Sequence, residues 1–560
     1  MSCKLINIKL QMMSSAQVSS VDKRKIRSVS RSIASLVLIG SLVWTSAAFS
    51  APPMAEVFEY EVIGNSLIPI VKIQELLKPY TGQQSLEGIT AASIALQNLY
   101  VQAGYAGVIT SVPEQTLSSG KVRINVLEGK LDQIVVQGNE RFSNQNVKAG
   151  LPSLKVGFTP NLVDLDTHTL MVNENPAKTV RVVFQPGLRV GQLDALVVTD
   201  EQNPIQWAAT ADNTGSLSSG RYRGSLAFQH ANVFDLDHVL NVRLNTSFSD
   251  PANSFAAGVG YRIPLYDKFA SVDLLASYSN VKNRTTPTAA GDLSFAGEGQ
   301  AVGVRYNWHL PRFGKSKQKI SAGLDWRQYR NTCSIGVFGS QGCGPAAASV
   351  EVHPVTLAYQ LFDPGNYSAS VQFASNVLAG GSLGQAQNFE NSRPGAKPRY
   401  WMLSGGYQLV RSLENRSTLS WRANAQHSPH ALISAEQFGI GGATTVRGFI
   451  ERELVGDQGA ATSVEWSTSL LGALQSLGQS GGSRQLVGTA FLDAGVVNNQ
   501  LGAVCQIGKT TCSIAGAGIG LTLSQDRRWS LKADLARALT AGTVTQRGDY
   551  RLHFLASLAF

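Results

Sequence analysis

RYRGSLAFQHA at 221–231 and VLNVRLNTSF at 239–248 decide how this chain folds. Each alternates apolar with polar or small residues at a period of two, which sorts the side chains onto the two faces of a β-strand. The pattern recurs in FASVDLLASYSN (269–280), QAVGVRYNWHL (300–310), QKISAGLDWRQY (318–329) and VEVHPVTLAYQLF (350–362). It returns in YSASVQFASNVL (367–378), RYWMLSGGYQLV (399–410) and STLSWRANAQH (417–427). Short turns (PRFGKSKQ, DPGN, LENR) alternate with longer loops (NRTTPTAAGDLS, GGSLGQAQNFENSRPGAKP), and helical periodicity is missing from about Pro204 onward. That long/short alternation predicts an antiparallel transmembrane β-barrel, and at roughly 22 residues per strand and connection the span 204–560 makes about sixteen strands. An even number returns the C-terminus to the side where the chain entered. The last segment, RLHFLASLAF, sets Leu552, Phe554, Ala556, Leu558 and the terminal Phe560 on one lipid-facing row, the usual outer-membrane targeting pattern. A soluble β-sandwich predicts neither the terminal Phe nor the loop asymmetry.

Composition agrees. Charged residues are 15% of the chain, below the roughly 25% of a soluble domain, and Gly is 54 of 560. The net charge of +10 invites a nucleic-acid reading. Residues 1–50, however, hold Lys4, Lys9, Lys23, Arg24, Lys25, Arg27 and Arg31 against Asp22 alone, so +6 sits there and only +4 is spread over the rest. So weak an excess is no footprint for nucleic acid. After residue 50 no apolar run approaches the ~20 residues of a membrane helix.

The first fifty residues read as a signal peptide. Lys23 to Arg31 form a cationic region, IASLVLIGSLVW (33–44) is an apolar core, and Ala48 and Ser50 place small residues before a predicted cleavage at Ala51. A buried helix is the competing reading. Export makes disulfides available to Cys333, Cys343, Cys505 and Cys512, which fall into two local couples ten and seven residues apart. A zinc site competes, but neither a C-x-x-C spacing nor a neighbouring His supports it. On the strand count the couples occupy the fourth and seventh outward loops.

Between the signal and the barrel, two units repeat with a period of about 74 residues. Residues 51–129 read β-α-α-β-β: FEYEVIGN, a Pro-marked helix (IPIVKIQELLKPY), a helix from Ser85, then AGVITSV and KVRINVLEG. The second helix presents Leu86, Ile89, Ala92, Leu96, Leu99 and Ala103 at spacings of three and four. Residues 130–201 repeat the order with DQIVVQGN, SNQNVKAGL, TPNLVDLDTHTLMVNENP, KTVRVVFQPG and QLDALVVTD. The barrel is assigned to 202–560.

The longest loop is the sixth, about 430–459, with Val446-Arg447-Gly448-Phe449 at its centre. Beyond it lie Glu465 and Phe491-x-Asp493-x-Gly495, whose three residues share one strand face. A lumen-facing Asp493 needs a cationic partner, Gly495 leaves room for a loop to approach, and an arginine offers a fork of donors. Spacing alone leaves equally open an exposed loop arginine and an unrelated aspartate.

Two such modules, a sixteen-stranded barrel, the VRGF loop and the F-x-D-x-G strand together resemble the two-partner-secretion transporters. These are the TpsB or hemolysin secretion/activation family, within the BamA-type superfamily. GYAGVITSVPEQTLSSGKVRINVLEG at the end of the first module and ADNTGSLSSGRYRGSLAFQHANVFD at the barrel entry carry the same resemblance. It implies that the modules are periplasmic POTRA domains, and that Arg447 pairs with Asp493 and Glu465 to hold loop six in the pore. It further implies transport of one unfolded hemolysin- or adhesin-type exoprotein bearing a two-partner-secretion domain, across the outer membrane of a Gram-negative bacterium. No nucleotide, metal or other cofactor, and no catalysis, is expected. Outer-membrane lipid, lipopolysaccharide and the barrel assembly machinery are the further partners implied. Many members place a plug helix before the first POTRA domain; residues 51–57 are too few to thread a pore about 30 Å long at 1.5 Å per residue. A BamA- or TamA-like assembly factor is the alternative function, disfavoured by two modules and by the NENP and DNTG segments.

Three other signals are weak. Gly380 to Gly384 fits G-x-S-x-G, but without the strand-to-helix turn of a nucleophile elbow. Gly516, Gly518 and Gly520 alternate at period two, which suits clearance on a lumen face better than a phosphate loop. His427 and His430 flank Pro429, which breaks any helix that would pair them on a metal.

Overall fold

In a computed structural model, the described residues are 54–560, apart from 106, 118, 216–218, 289–290, 336–339, 341–342, 344–346, 378–379, 471–483 and 527. The signal-peptide expectation lies outside them. No described helix is long and apolar enough to cross a membrane.

The first module contains β1 (Met54–Val57), β2 (Glu59–Ile63), α1 (Ile70–Leu77), β3 (Gly82–Ser85), α2 (Leu86–Gln102), β4 (Val108–Ser111) and β5 (Lys121–Glu128). Its main sheet runs β2-β5-β4, with β2 parallel to β5. The expected β-α-α-β-β order needs one correction. After the turn at Lys78–Tyr80 the chain stays extended, and β3 gives β1 an antiparallel partner, a second small sheet. Ser85 caps α2 by accepting from Gly88 N–H, a contribution of about 1 kcal/mol. The face that α2 buries is Ile89, Ala92, Ser93, Leu96 and Tyr100; Leu86 is exposed and Ala103 is the C-cap. Glu128 ties the module together, accepting from Ser66 and Leu67 N–H and from the Tyr100 hydroxyl. Burial alone would raise its carboxyl, but these bonds hold it below the ordinary glutamate range.

The second module is β6 (Lys130–Gln137), α3 (Asn144–Ala149), α4 (Leu162–Val172), β7 (Lys178–Pro186) and β8 (Gln192–Glu201), in sheet order β6-β8-β7. It docks on the barrel through buried polar contacts. Lys178 Nζ meets Asp237 at 2.7 Å with both side chains almost fully buried, and Tyr266 donates to the same carboxylate. His168 stacks on Phe269 at 4.3 Å and donates to Tyr266 O.

Sixteen antiparallel strands then close on themselves. They begin with β9 (Ile205–Asp212), β10 (Arg223–Val233), β11 (His238–Ser247), β12 (Ser254–Leu265), β13 (Ala270–Thr288), β14 (Gly291–Phe313) and β15 (Ser316–Ile335). The eighth is broken at His353 into β16 (Val350–Val352) and β17 (Pro354–Asp363), both paired with β15. Next come β18 (Tyr367–Asn376), a loop bearing α5 (Ala386–Ser392), β19 (Tyr400–Ser412) and β20 (Ser417–His427). Loop six carries its own hairpin, β21 (Phe438–Ile440) and β22 (Leu454–Gly456). The barrel ends with β23 (Gln458–Ser469), β24 (Arg484–Asn498), β25 (Thr511–Gln525), β26 (Trp529–Ala538) and β27 (Tyr550–Ala559).

Alternation sorts the wall as expected. Leu226, Leu244, Val259, Leu274, Trp308, Trp421, Trp466 and Leu558 are exposed on the outer face, where lipid rather than water surrounds a barrel. The seam joins β27 to β9 from Leu555–Asp212 to Ala559–Ala208, and Phe560 exchanges two 2.9 Å backbone bonds with Trp207. Asn213 prolongs the seam, donating to Leu552 O and accepting from Phe554 N–H. One loop was misread: NRTTPTAAGDLS is mostly strand, because β13 runs to Thr288 and β14 begins at Gly291. Its Thr-rich residues pair as readily in a ladder as they sit in a loop.

Candidate functional site

Loop six, between β20 and β23, turns into the barrel. Its tip is Arg447, 2% exposed, against Asp493, which is fully buried on β24. Arg447 grips Asp493 three ways: its main-chain N–H donates to Oδ2 at 3.0 Å, Nε to Oδ2 at 2.7 Å and Nη2 to Oδ1 at 2.8 Å. Nη2 also reaches Glu465 Oε1 at 2.7 Å and Ser463 Oγ at 3.2 Å, both on β23. Nη1 lies 3.4 Å from Asp534 Oδ2 on β26, which Lys532 approaches at 3.1 Å. The guanidinium carbon stands 3.4 Å above the Phe491 ring. Every nitrogen of the fork thus has an acceptor, the condition under which a buried arginine is tolerated.

The wall is cut to receive this tip. Phe491, Asp493 and Gly495 share the inward face of β24, opposite Glu465, Ser463 and Ala461 on one side and Gly518, Gly516 and Ile514 on the other. A Cβ on Gly516 would lie 2.0 Å from Arg447 O, and one on Gly518 would lie 2.6 Å from Phe491 Cζ. Gly448, at φ +97°, carries the chain past β26 in a backbone conformation that suits glycine. Its N–H donates to His553 Nε2 at 3.2 Å. Val446 and Phe449 are fully buried among Ile440, Leu454, Val497, Cys512 and Ile514.

Sequence reasoning missed several anchors. Asp534 and His553 occupy inward positions on β26 and β27 without belonging to a motif. Glu453, in loop six, accepts from Val544 and Thr545 N–H and the Thr545 hydroxyl, tying loop six to the last loop. Asp457, fully buried at the loop-six base, takes both guanidinium nitrogens of Arg393 just beyond α5, together with Leu432 and Gln500 N–H and the Gln437 amide. Glu436 pairs with Arg327 on β15 at 3.0 Å. For Asp534 and His553 the usable signal was an ionisable residue at an inward-facing strand position; the loop residues Glu436, Glu453 and Asp457 offered none.

The NENP segment ends α4. Asn173 exchanges two bonds with Val180, Glu174 reaches Arg262 at 3.1 Å, and Asn175 donates to Ala231 O at 2.7 Å. The disulfides Cys333–Cys343 and Cys505–Cys512 are both formed, one running from β15 into the fourth loop, the other closing the seventh. His427 Nδ1 meets Gln458, and both His427 and His430 pack edge-on to Trp401. Among the described residues, no group of His, Cys, Asp and Glu has the arrangement of a metal site.

A closed barrel with two α/β modules at one end and an arginine-anchored loop folded inside defines an outer-membrane POTRA β-barrel transporter. The chain belongs to the haemolysin secretion/activation protein ShlB/FhaC/HecB family, whose model matches residues 191–523; the ShlB-type POTRA domain model matches residues 56–129. It is 26% identical to the outer membrane transporter CdiB of Escherichia coli over 76% of this chain and 71% of that one. It is 20% identical to the heme/hemopexin transporter protein HuxB of Haemophilus influenzae over 84% and 80%. Among solved structures, CdiB from Escherichia coli superposes with a TM-score of 0.75 at 20% identity, covering 92% of each chain. CdiB from Acinetobacter baumannii gives 0.69 at 18% identity, covering 91% of each. The POTRA domains of this outer-membrane family are periplasmic.

Proposed function

We propose that this protein receives one unfolded exoprotein in the periplasm through its POTRA domains and passes it through the barrel to the cell surface without nucleotide hydrolysis. The observation that carries the reading is the placement of loop six: its tip is anchored on one arc of the lumen, β23 to β27, while the second POTRA domain docks at the periplasmic mouth. Anchoring on one arc keeps the loop from filling the passage at random and gives the passage a fixed wall. The main POTRA sheets leave β2, β4, β6 and β7 as edges, and an extended peptide can add to such an edge through main-chain hydrogen bonds. Folding of the cargo outside would bias its transit outward. The protein is not an enzyme in this account; lipopolysaccharide surrounds its outer rim, and the barrel assembly machinery inserts it.

The test is quantitative proteomics of supernatant, cell surface and outer membrane with and without the gene. Loss of one large exoprotein, other barrels unchanged, is expected. Broad depletion of outer-membrane barrels would mean an assembly role instead.

A further inference from the structure

At the periplasmic mouth lies a cavity of about 450 Å³ that is separate from the loop-six seat. One side is the POTRA helix α4, with Thr167 and Leu170, and Glu174 just beyond its end; the other is the inward face of β14 to β20. The ladders fix which side chains share that face: Lys317 lies opposite Phe362, Lys319 opposite Gln360, Gln408 opposite Arg422 and Gly406 opposite Asn424.

The charge in this cleft is one-sided. Glu174 is its single carboxylate and is already held by Arg262 at 3.1 Å, with Lys319 at 3.9 Å. Among the described residues, no carboxylate comes within ion-pair distance of Lys317 or Arg422. Lys317 feels Glu174 and Asp166, but these are paired to Arg262 and Arg312, and two cations without an ion-pair partner of their own in a confined mouth focus a field that attracts anions. Beside them Gln360, Gln408 and Asn424 make no side-chain hydrogen bond among the described residues. Each amide offers both a donor and an acceptor, the complement of a peptide main chain whatever its side chains.

We propose that this cleft receives the translocating polypeptide as it leaves the POTRA domains, and that it takes an extended, acidic stretch. Carboxylates of the passing chain meet Lys317 and Arg422, and its main chain meets the amides of Gln360, Gln408 and Asn424. A basic stretch meets like charge there and is disfavoured. The proposal rests on the transport reading above.

The test uses the full-length protein in detergent and two fluorescent, unstructured twelve-residue peptides, one rich in Glu and Gly, the other in Lys and Gly. Anisotropy is expected to report binding of the acidic peptide, weakened by salt, and at least tenfold weaker binding of the basic one. The Lys317→Gln/Arg422→Gln double variant should lose at least fivefold in affinity for the acidic peptide, whereas Arg243→Gln, elsewhere in the lumen, should not. Equal binding of both peptides, or an unchanged double variant that keeps the heat-modifiable mobility of a folded barrel, overturns the proposal. The wild-type peptide comparison needs no variant and stands if the double variant fails to fold. Secretion in the same strains separates the two claims. An exoprotein lost on deleting the gene but secreted normally by the double variant refutes the cleft alone; no exoprotein lost on deletion refutes the transport reading.

Discussion

The carbonyl oxygen of Arg447 and the α-carbon of Gly516 lie so close that a single added methyl group would stand 2.0 Å from that oxygen. The contact is backbone against backbone, so no rotamer change relieves it, and the loop-six tip must move. Gly516→Ala is therefore expected to lift Arg447 from Asp493 and reduce exoprotein secretion at least tenfold, with the barrel still heat-modifiable in the outer membrane. Secretion at the wild-type level would show that the tip does not need this seat.

His168 makes the docking of the second POTRA domain pH-sensitive. Burial holds its imidazole below the usual 6.5, outweighing its bond to Tyr266 O and the carboxylates of Asp164 and Asp267, which raise it. The docked state thus favours neutral histidine, and a released domain binds the proton more tightly. Docking is full above about pH 6.5 and weakens as the pH falls below it, by at most about 1.4 kcal/mol per pH unit. The protection factor across 162–172, taken relative to the intrinsic exchange rate at each pH, should be lower at pH 5 than at pH 7.5 in the wild type and the same at both in His168→Gln, whose amide can still donate to Tyr266 O. Equal protection of the wild type at both pH values would contradict this.

Lys178 and Asp237 form a pair whose halves fail separately. Lys178→Met leaves a buried carboxylate facing the Tyr266 hydroxyl and the Asn175 amide alone, at a cost of about 3–5 kcal/mol. Lys178→Met/Asp237→Leu should recover part of that loss in urea unfolding followed at the POTRA domain. A double variant as unstable as the sum of the singles would mean the two residues do not act as a pair.

Asp457 is expected to hold the extracellular cap. Asp457→Asn leaves the Arg393 guanidinium without its counter-charge, and deuterium uptake across 386–393 and 430–437 should speed up at least tenfold, about 1.4 kcal/mol of lost protection. Unchanged uptake would assign the closure to the Glu453 contacts with the last loop instead.

Much of this was legible in the sequence because the deciding feature, period-two alternation, is local. It placed the strands, the inward face of Phe491, Asp493 and Gly495, and the glycine row on β25. What escaped reading was either too short or too distant. The strands β21 and β22 have three residues each, too few to display a period. Arg393 and Asp457 stand 64 positions apart with no shared motif. The NENP segment stood out, but nothing in the sequence says that Asn173, Glu174 and Asn175 each serve a different partner. Leu86 matches the helical spacing of a core residue yet is exposed, because it is the first residue of α2 and the buried face starts only at Ile89.

If transport needs a seated Arg447, secretion by Arg447→Ala beside Arg447→Lys will show it. At least a tenfold loss is expected for Ala and an intermediate loss for Lys, which keeps a charge but not the fork that spans both Asp493 oxygens. Both variants should reach the outer membrane as folded barrels. Wild-type secretion by Arg447→Ala would show that transport does not depend on the seated arginine.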